Sequence, residues 1–227
     1  MALTDENLLW QIWKARNRFC FEHVNPVASV IVSCAMDQAV VWLNLHGHIT
    51  ESLVVTQPEP GVVSEWTKPP TSFLKCNVGS SWSQASSVGG AGWIIRDSSG
   101  KALVHSRRSF SGISSSTQAD LMALSWAAAA VVDLRLKNVM FEFSSPSVAE
   151  VLNNPLINPF SYHNCYEVFR NVHAVARCSL QLVSTSSNTA AYAIALSVTR
   201  DNRHHSYVAS NGPSWLASLL SQEATSR

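Results

Sequence analysis

The first fifty residues contain two runs of apolar positions at helical spacing. The runs over 8–22 and 27–45 repeat apolar residues at three- and four-residue steps, the period of one helix face. Pro26 stands just before the second run, where proline is well suited to open a helix. The pattern predicts an N-terminal helical extension over 1–50 that folds as a separate hairpin.

The pattern changes after 51–65, a stretch without periodicity that contains Pro58, Pro60 and Gly61 and is predicted to be a linker. Short apolar runs bounded by turn residues then alternate with longer helical runs, which predicts an α/β domain. The predicted elements are strands over 73–78, 90–96 and 102–110, a helix over 117–134, a strand over 139–143, helices over 146–152 and 162–176, a strand over 180–183 and a helix over 188–198.

The composition is apolar and weakly charged. Hydrophobic residues make up 46% of the 227 residues, which is enough for one core, whereas charged residues make up only 14%, against roughly 25% in soluble domains. The formal net charge of +1 provides no overall field that attracts nucleic acid. One polar segment, Arg200–His205, is either a solvated loop or a phosphate-contacting patch.

Several sequence patterns are missing, and their absence limits the expected location and cofactors. The acidic residues Asp5 and Glu6 replace the basic and apolar regions of a signal peptide, and Asp37 interrupts the second helical run. We therefore expect an intracellular protein without membrane contact, in the cytoplasm or the nucleus. The five cysteines form no Cys-x-x-Cys pair, so buried, reduced thiols are predicted rather than disulfides or zinc ligands.

Five short motifs follow one another in a recognisable order. They are Trp66–Pro70, Asn77–Ser81, Gln118–Leu121, Phe141–Ser145 and the C-terminal run Ser206–Leu216. In this order and spacing the chain resembles the ribonuclease H-type domain of plant retroelement proteins, which are reverse transcriptase-like. The resemblance implies a five-stranded mixed sheet with its first three strands antiparallel and helices on both faces. It places the domain at 66–222, followed by a C-terminal tail at 223–227.

The activity of that family is cleavage of the RNA strand of an RNA–DNA hybrid by two divalent metal ions held by four carboxylates. The resemblance places those four positions at Gly79, Asp120, Ser144 and Tyr192. One acid survives, shortened from glutamate to aspartate, and three are replaced. We therefore expect a catalytically degenerate domain that needs no cofactor. Mg²⁺ is implied only if the family activity survives.

Three readings of function remain open at this point. The preferred one is a degenerate module that binds nucleic acid, an RNA–DNA hybrid, weakly, or a protein partner. The second is an active hybrid nuclease with relocated ligands, in which Glu142 shares a strand face with Ser144 and replaces a lost acid. The third is a protein-interaction module that uses the tryptophan-rich N-terminal helices. The side chains expected to contact nucleic acid are Asn77, Ser80, Gln118 and Asn188.

The same transfer predicts that the four family positions converge in one cleft. Restoring all four carboxylates is expected to give at most weak magnesium-dependent cleavage, because catalytic groups that act as a unit are not additive.

Overall fold

The computed structural model describes residues 3–46, 55–56, 65–155 and 161–225, and it divides the chain into two units, 1–52 and 53–227. The first unit holds two helices, α1 (Leu3–Glu22) and α2 (Ala28–His46), which pack against each other. The two N-terminal helices predicted from the apolar spacing are thus present. Helix α1 ends at Glu22 because His23 takes the left-handed conformation, with φ 57°.

None of the helices in the described part of the chain has the length and apolar character that would let it cross a membrane.

The second unit is organised around a six-stranded mixed sheet in the order β5-β4-β1-β2-β3-β6. The pairs β1–β2, β2–β3 and β3–β6 are antiparallel, and β1–β4 and β4–β5 are parallel. The strands are β1 (Leu74–Ser83), β2 (Val88–Arg96), β3 (Ala102–Ser111), β4 (Val139–Phe143), β5 (Cys178–Leu182) and β6 (Tyr207–Ser210).

The first five strands confirm the predicted mixed sheet and its antiparallel start, and β6 is an addition that the sequence did not predict. This edge strand has four residues and pairs with β3 through its backbone. Because backbone pairing with a distant strand leaves little periodic signal in so short a segment, the side-chain pattern did not reveal it.

Helices cover both faces of the sheet. Apolar residues of α3 (Ser116–Asp133), α4 (Pro146–Asn153) and α5 (Tyr162–His173) form the larger core on one face. Helices α6 (Thr189–Thr199) and α7 (Ala217–Thr225) pack around Ile94 on the other face. Successive β1 residues therefore point to α3 and to α6 in turn.

Two predicted boundaries differ from the structure. The domain was predicted to end at residue 222, but α7 continues to Thr225. In the predicted linker, only residues 55, 56 and 65 are described. The N–H of Thr56 donates to the carbonyl of Leu180 at 3.2 Å and its carbonyl accepts from the N–H of Leu182 at 3.0 Å, so this point is joined to β5.

The cysteines agree only in part with the expectation of buried thiols. Cys76 and Cys165 are buried and Cys178 is half-buried, whereas Cys20 and Cys34 on the N-terminal helices are exposed. Burial raises the pKa of the Cys165 thiol to about 12, so this thiol stays protonated. All five are free cysteines.

Candidate functional site

A cleft of about 340 Å³ opens where the parallel pairing of β1 with β4 ends, beside the first turns of α3 and α6. The last paired residues are Asn77 and Glu142, so the residues that follow these two lie side by side. The lining residues are Val78, Gly79, Ser80, Asp120, Ala123, Phe143, Ser144, Ser145, Pro146, Val148, Thr185 and Tyr192. The prediction that Gly79, Asp120, Ser144 and Tyr192 share one cleft is confirmed.

Asp120 is the acidic residue of this lining set. It lies in the first turns of α3, and the Ser80 hydroxyl of β1 donates a hydrogen bond to its Oδ1. Burial raises the pKa of Asp120, while hydrogen bonds from Ser80 and Ser145 oppose that rise. The carboxylate is therefore held by hydroxyl donors and has no cation among its hydrogen-bond partners.

Gly79 lies directly beneath the first turns of α6. A Cβ built at this position would stand 2.5 Å from the backbone carbon and oxygen of Ala191 and 2.5 Å from the backbone nitrogen of Tyr192. Gly90 and Gly92 of β2 meet the same helix at similar distances, from 2.5 to 2.6 Å. Helix α6 thus packs directly against three glycines. A side chain at residue 79 would require the backbone of α6 to move.

Hydroxyl groups supply most of the polar lining of the cleft. They come from Ser80, Ser144, Ser145, Thr185 and Tyr192. Tyr192 is 41% exposed and occupies the position at which the motif resemblance places the fourth family acid. Apart from the one carboxylate, the polar side chains of the cleft are neutral donors and acceptors.

The structure places Glu142 away from the cleft. Strand β4 ends at Phe143, so the alternation that was expected to put Glu142 and Ser144 on one face does not extend to Ser144. Glu142 is buried, with its Oε1 2.6 Å from Lys75 Nζ and its Oε2 accepting from Asn77 Nδ2 at 2.8 Å. Both carboxylate oxygens have internal partners, so Glu142 acts as a buried supporting residue rather than as the stand-in ligand of the relocated-ligand alternative.

A second ion pair continues this buried polar cluster. Arg96 Nη2 donates to Asn77 Oδ1 at 2.8 Å, and Arg96 Nη1 donates to Glu223 Oε2. Its guanidinium carbon lies 3.5 Å from the ring centroid of Trp66. Burial lowers the pKa of Arg96, and Glu223 opposes that shift. The cluster joins Trp66, β1, β2, β4 and α7.

Three of the four side chains expected to contact nucleic acid are used elsewhere. Asn77 and Asn188 are buried, so direct contact with a bound strand is excluded for both. Asn188 Nδ2 donates to the Val78 carbonyl at 2.7 Å. Gln118 Oε1 accepts from the Ser114 N–H at 2.8 Å and closes the turn that begins α3. Only Ser80 lines the cleft.

The residues present do not fit two Mg²⁺ ions. Such ions require several carboxylate oxygens to compensate their charge and fix their separation. The cleft offers one carboxylate, already bound by the Ser80 hydroxyl. Throughout the described ranges, no three His, Cys, Asp or Glu side chains come together as a metal site.

Sequence reasoning did not anticipate two parts of this region. Thr185 and Ser145 were not named as cleft residues, although Ser145 directly follows Ser144 and Thr185 lies one short helical segment before Tyr192. The pair between Arg96 and Glu223 had no local signal, because 127 residues separate its members.

Solved structures identify the class of fold. Ribonuclease H1 of the halophilic archaeon Halobacterium salinarum NRC-1 has 17% sequence identity to the chain and a TM-score of 0.52, covering 57% of this chain and 98% of its own. LC9-RNase H1, a type 1 enzyme with the type 2 active-site motif, has 13% identity and a TM-score of 0.53, covering 71% and 88%. The fold is therefore that of ribonuclease H.

The family follows from the sequence match. Residues 77–198, 122 of the 227 residues, match the model of the family described as reverse transcriptase-like. The chain therefore belongs to the reverse transcriptase-like family. No curated protein matches the sequence.

Proposed function

We propose that this protein is a catalytically inactive ribonuclease H-like domain of retroelement origin that binds nucleic acid without a metal ion. The observation that carries the loss of catalysis is the contact between Gly79 and α6, where a Cβ would stand 2.5 Å from the helix backbone. At residue 79, where the resemblance places the first metal-binding carboxylate of the family, the chain has no side chain and the packing leaves no space for one. The motif resemblance supports a plant source.

Binding without metal follows from the charge of the cleft. Four carboxylates would repel a phosphodiester unless cations neutralised them, because like charges in a confined site interact strongly. Asp120 is the one acid among the lining residues, and burial raises its pKa. Ser144, Thr185 and Tyr192 provide hydroxyl groups that donate hydrogen bonds to phosphate oxygens. The cleft can therefore accept a sugar–phosphate backbone directly.

A labelled RNA–DNA hybrid tests both parts of this proposal. We expect no cleavage in magnesium or manganese above a chelated control, and equal affinity for the hybrid with magnesium and with a chelator. Cleavage above the chelated control would overturn the inactive assignment and revive the relocated-ligand alternative. Loss of binding in the chelator would overturn metal-free recognition, and absence of binding in both buffers would overturn the nucleic-acid function.

A charge introduced into the cleft locates the binding site. The variant Ser144→Asp adds a carboxylate to the lining, so in a chelator it is expected to weaken hybrid binding about tenfold, through like-charge repulsion. Ser218→Asp makes the same chemical change on the exposed surface of α7 and should leave the affinity unchanged. Equal affinities for both variants would exclude the cleft as the binding site.

A second candidate function concerns the N-terminal helices. Trp10 and Trp13 stack with ring centroids 4.8 Å apart and remain 51% and 50% exposed. Paired exposed tryptophans favour a protein contact, because aromatic side chains dominate interface energetics. The double variant Trp10→Ser, Trp13→Ser would abolish a partner contact made through these helices and leave hybrid binding unchanged. A change in hybrid binding instead would assign the tryptophans to the nucleic-acid site.

A further inference from the structure

An arginine-rich surface lies where β3, β6 and the loop after α6 meet. We call it the β3–β6 surface and define it by Arg107, Arg200, Arg203, His205 and Tyr207. Arg107 and Tyr207 are half-buried and the other three residues are exposed. The sequence predicts that this loop is either solvated or in contact with phosphates. In the structure it is joined by Arg107, which comes from a strand about a hundred residues earlier.

The loop is held firmly against β3. Arg107 Nε donates to the His205 carbonyl at 3.2 Å, and the Arg107 guanidinium carbon lies 4.9 Å from the ring centroid of Tyr207. Ser109 Oγ donates to the His204 carbonyl at 3.1 Å. The backbones of β3 and β6 are paired over four residues each, from Arg107 opposite Tyr207 to Val104 opposite Ser210. The cations on this surface therefore project from a supported backbone.

Positive charge exceeds negative charge on this surface. Arg200 Nε donates to Asp201 Oδ1 at 2.8 Å, and Arg203 Nε lies 4.0 Å from Asp201 Oδ2. Arg107 has no carboxylate within 4.0 Å in the described part of the chain. Three arginines thus accompany one aspartate, although the whole protein has a formal net charge of only +1. The charge of the protein is unevenly distributed, and this is one of its positive regions.

The β3–β6 surface is separate from the cleft. Gly79 of β1 pairs with Gly92 of β2, which pairs with Arg107 of β3, so the three lie in one row across the sheet. Two interstrand steps place Arg107 roughly 10 Å from Gly79. Both glycines are covered by α6. Arg107 therefore lies beyond the helix, outside the set of residues that line the cleft.

We propose that the β3–β6 surface binds the phosphates of a nucleic-acid strand, a contact additional to the cleft that rests on the proposed nucleic-acid function. Arginine presents a planar fork of donors that matches phosphate oxygens in a bidentate way. Tyr207 adds a half-buried aromatic ring beside the arginines, in contact with Arg107 and with the His105 ring. Clustered cations beside an aromatic side chain are features that single-strand binding surfaces combine.

The geometry favours nucleic acid over an anionic membrane. Membrane surfaces are recognised by polybasic segments or by amphipathic helices that insert apolar side chains. Here the basic residues lie on a strand and on a loop tied to it, with Arg107 stacked over Tyr207.

The double variant Arg107→Gln, Arg203→Gln tests this surface, with labelled single-stranded oligothymidine as the probe, in a chelator. The slope of log affinity against log salt for a single strand is about 0.7 per phosphate contact, so losing two contacts lowers the affinity at about 0.1 M salt by up to about 25-fold. The salt slope should also fall by about 1.4. The charge-retaining pair Arg107→Lys, Arg203→Lys should keep most of that slope.

A matched control separates this surface from net charge alone. The variant Arg135→Gln, Arg177→Gln removes the same two charges from exposed arginines that precede β4 and β5, at the other side of the sheet. It is expected to bind oligothymidine within twofold of the unmodified protein. An equal loss in both double variants would overturn the proposal, as would an unchanged affinity in Arg107→Gln, Arg203→Gln with native thermal unfolding.

The outcome is distinguishable from failure of the cleft. If Ser144→Asp weakens hybrid binding and Arg107→Gln, Arg203→Gln does not weaken binding of either probe, the surface proposal fails while the cleft function stands. If the unmodified protein binds vesicles of anionic lipid through these arginines and binds neither nucleic-acid probe, both proposals fail. If only the arginine variant loses affinity, the β3–β6 surface stands and the cleft assignment fails.

Discussion

Arg96 Nη1 donates a hydrogen bond to Glu223 Oε2, which joins the end of β2 to α7. The two side chains are 0% and 10% exposed, so this ion pair is inside the domain. It shows that the last helix is part of the domain's support, because Arg96 would otherwise be a buried charge held only by Asn77 and Trp66.

Removing Glu223 is expected to destabilise the domain strongly. Glu223→Gln leaves the Arg96 guanidinium without its carboxylate, and an uncompensated buried charge costs about 3–5 kcal/mol. Urea unfolding measures the loss. Glu167→Gln is the matched control, since its partner Arg170 is 55% exposed and such surface pairs contribute less than about 1 kcal/mol. Equal effects of the two variants would show that α7 does not need this pair.

The pair formed by Lys75 and Glu142 is expected to behave as a coupled unit. Lys75→Met leaves Glu142 buried without a cation and should cost about 3–5 kcal/mol. The double variant Lys75→Met, Glu142→Gln removes both charges and keeps an acceptor for the Asn77 amide, so it should cost less than Lys75→Met alone. Denaturation of the single and double variants gives the coupling energy. A simply additive result would mean that the two side chains are independent.

A methyl group at Gly79 is expected to be costly. Gly79→Ala places a Cβ 2.5 Å from the backbone of Ala191, and overpacking of this kind costs about 1–3 kcal/mol or more. Gly89→Ala is the control, because its Cβ would first meet the Ile113 side chain at 3.1 Å and that side chain can adjust. The thermal unfolding midpoint of Gly79→Ala should lie well below that of Gly89→Ala. The reverse order would contradict the packing of α6.

Restoring the family carboxylates should therefore fail. The quadruple variant supplies all four acids through Gly79→Asp, Asp120→Glu, Ser144→Asp and Tyr192→Asp. The change at Gly79, however, forces α6 away from the glycines it packs against. We expect a destabilised variant without hybrid cleavage, assayed in magnesium against a chelated control. The triple variant that keeps Gly79 shows how much of the destabilisation comes from the three other changes. Cleavage by the quadruple variant would show that α6 can move away from residue 79 without loss of the folded site.

The pH dependence of stability should identify Asp120 as a destabilising charge. Burial raises the pKa of Asp120 above its ordinary value, so the folded state binds the proton more tightly than the unfolded state does. The folded state therefore loses stability as pH rises from the unfolded pKa through the folded pKa. Asp120→Asn should therefore gain stability relative to the unmodified protein at neutral pH, and the gain should vanish below the unfolded pKa. Urea midpoints measured from acidic to neutral pH provide the check.

Asp97 supplies a control of opposite sign. Burial acts to raise the pKa of Asp97, but hydrogen bonds from Ser99 and Lys101 prevail and lower it below 3.8. Its contribution is present above the unfolded pKa and is lost as pH falls through the folded value. Asp97→Asn should thus lose stability at neutral pH. The same sign of change for both asparagine variants would contradict the assigned causes.

The elements whose signal is local could be predicted from the amino-acid pattern alone. Helix α3 could be predicted because its alanines and leucines favour a helix and Ser115 caps it, accepting from the Gln118 N–H at 3.2 Å. The central strands could be predicted because they are continuous apolar runs bounded by turns. The order of motifs then placed Gly79, Asp120, Ser144 and Tyr192 in one cleft, since that placement depends on which strands are neighbours and on which helices begin beside them.

Which polar residues face the cleft and which stabilise the interior depends on contacts that form only in the folded domain. Glu142 and Asn77 resemble site residues in sequence, yet both are consumed by a buried cluster whose other members lie in distant segments. The pairing of Arg107 with the loop after α6 is likewise invisible in the sequence, because it depends on β6 joining the sheet edge beside β3. Contacts between distant segments are set by packing of the whole fold, which no local pattern of side chains encodes.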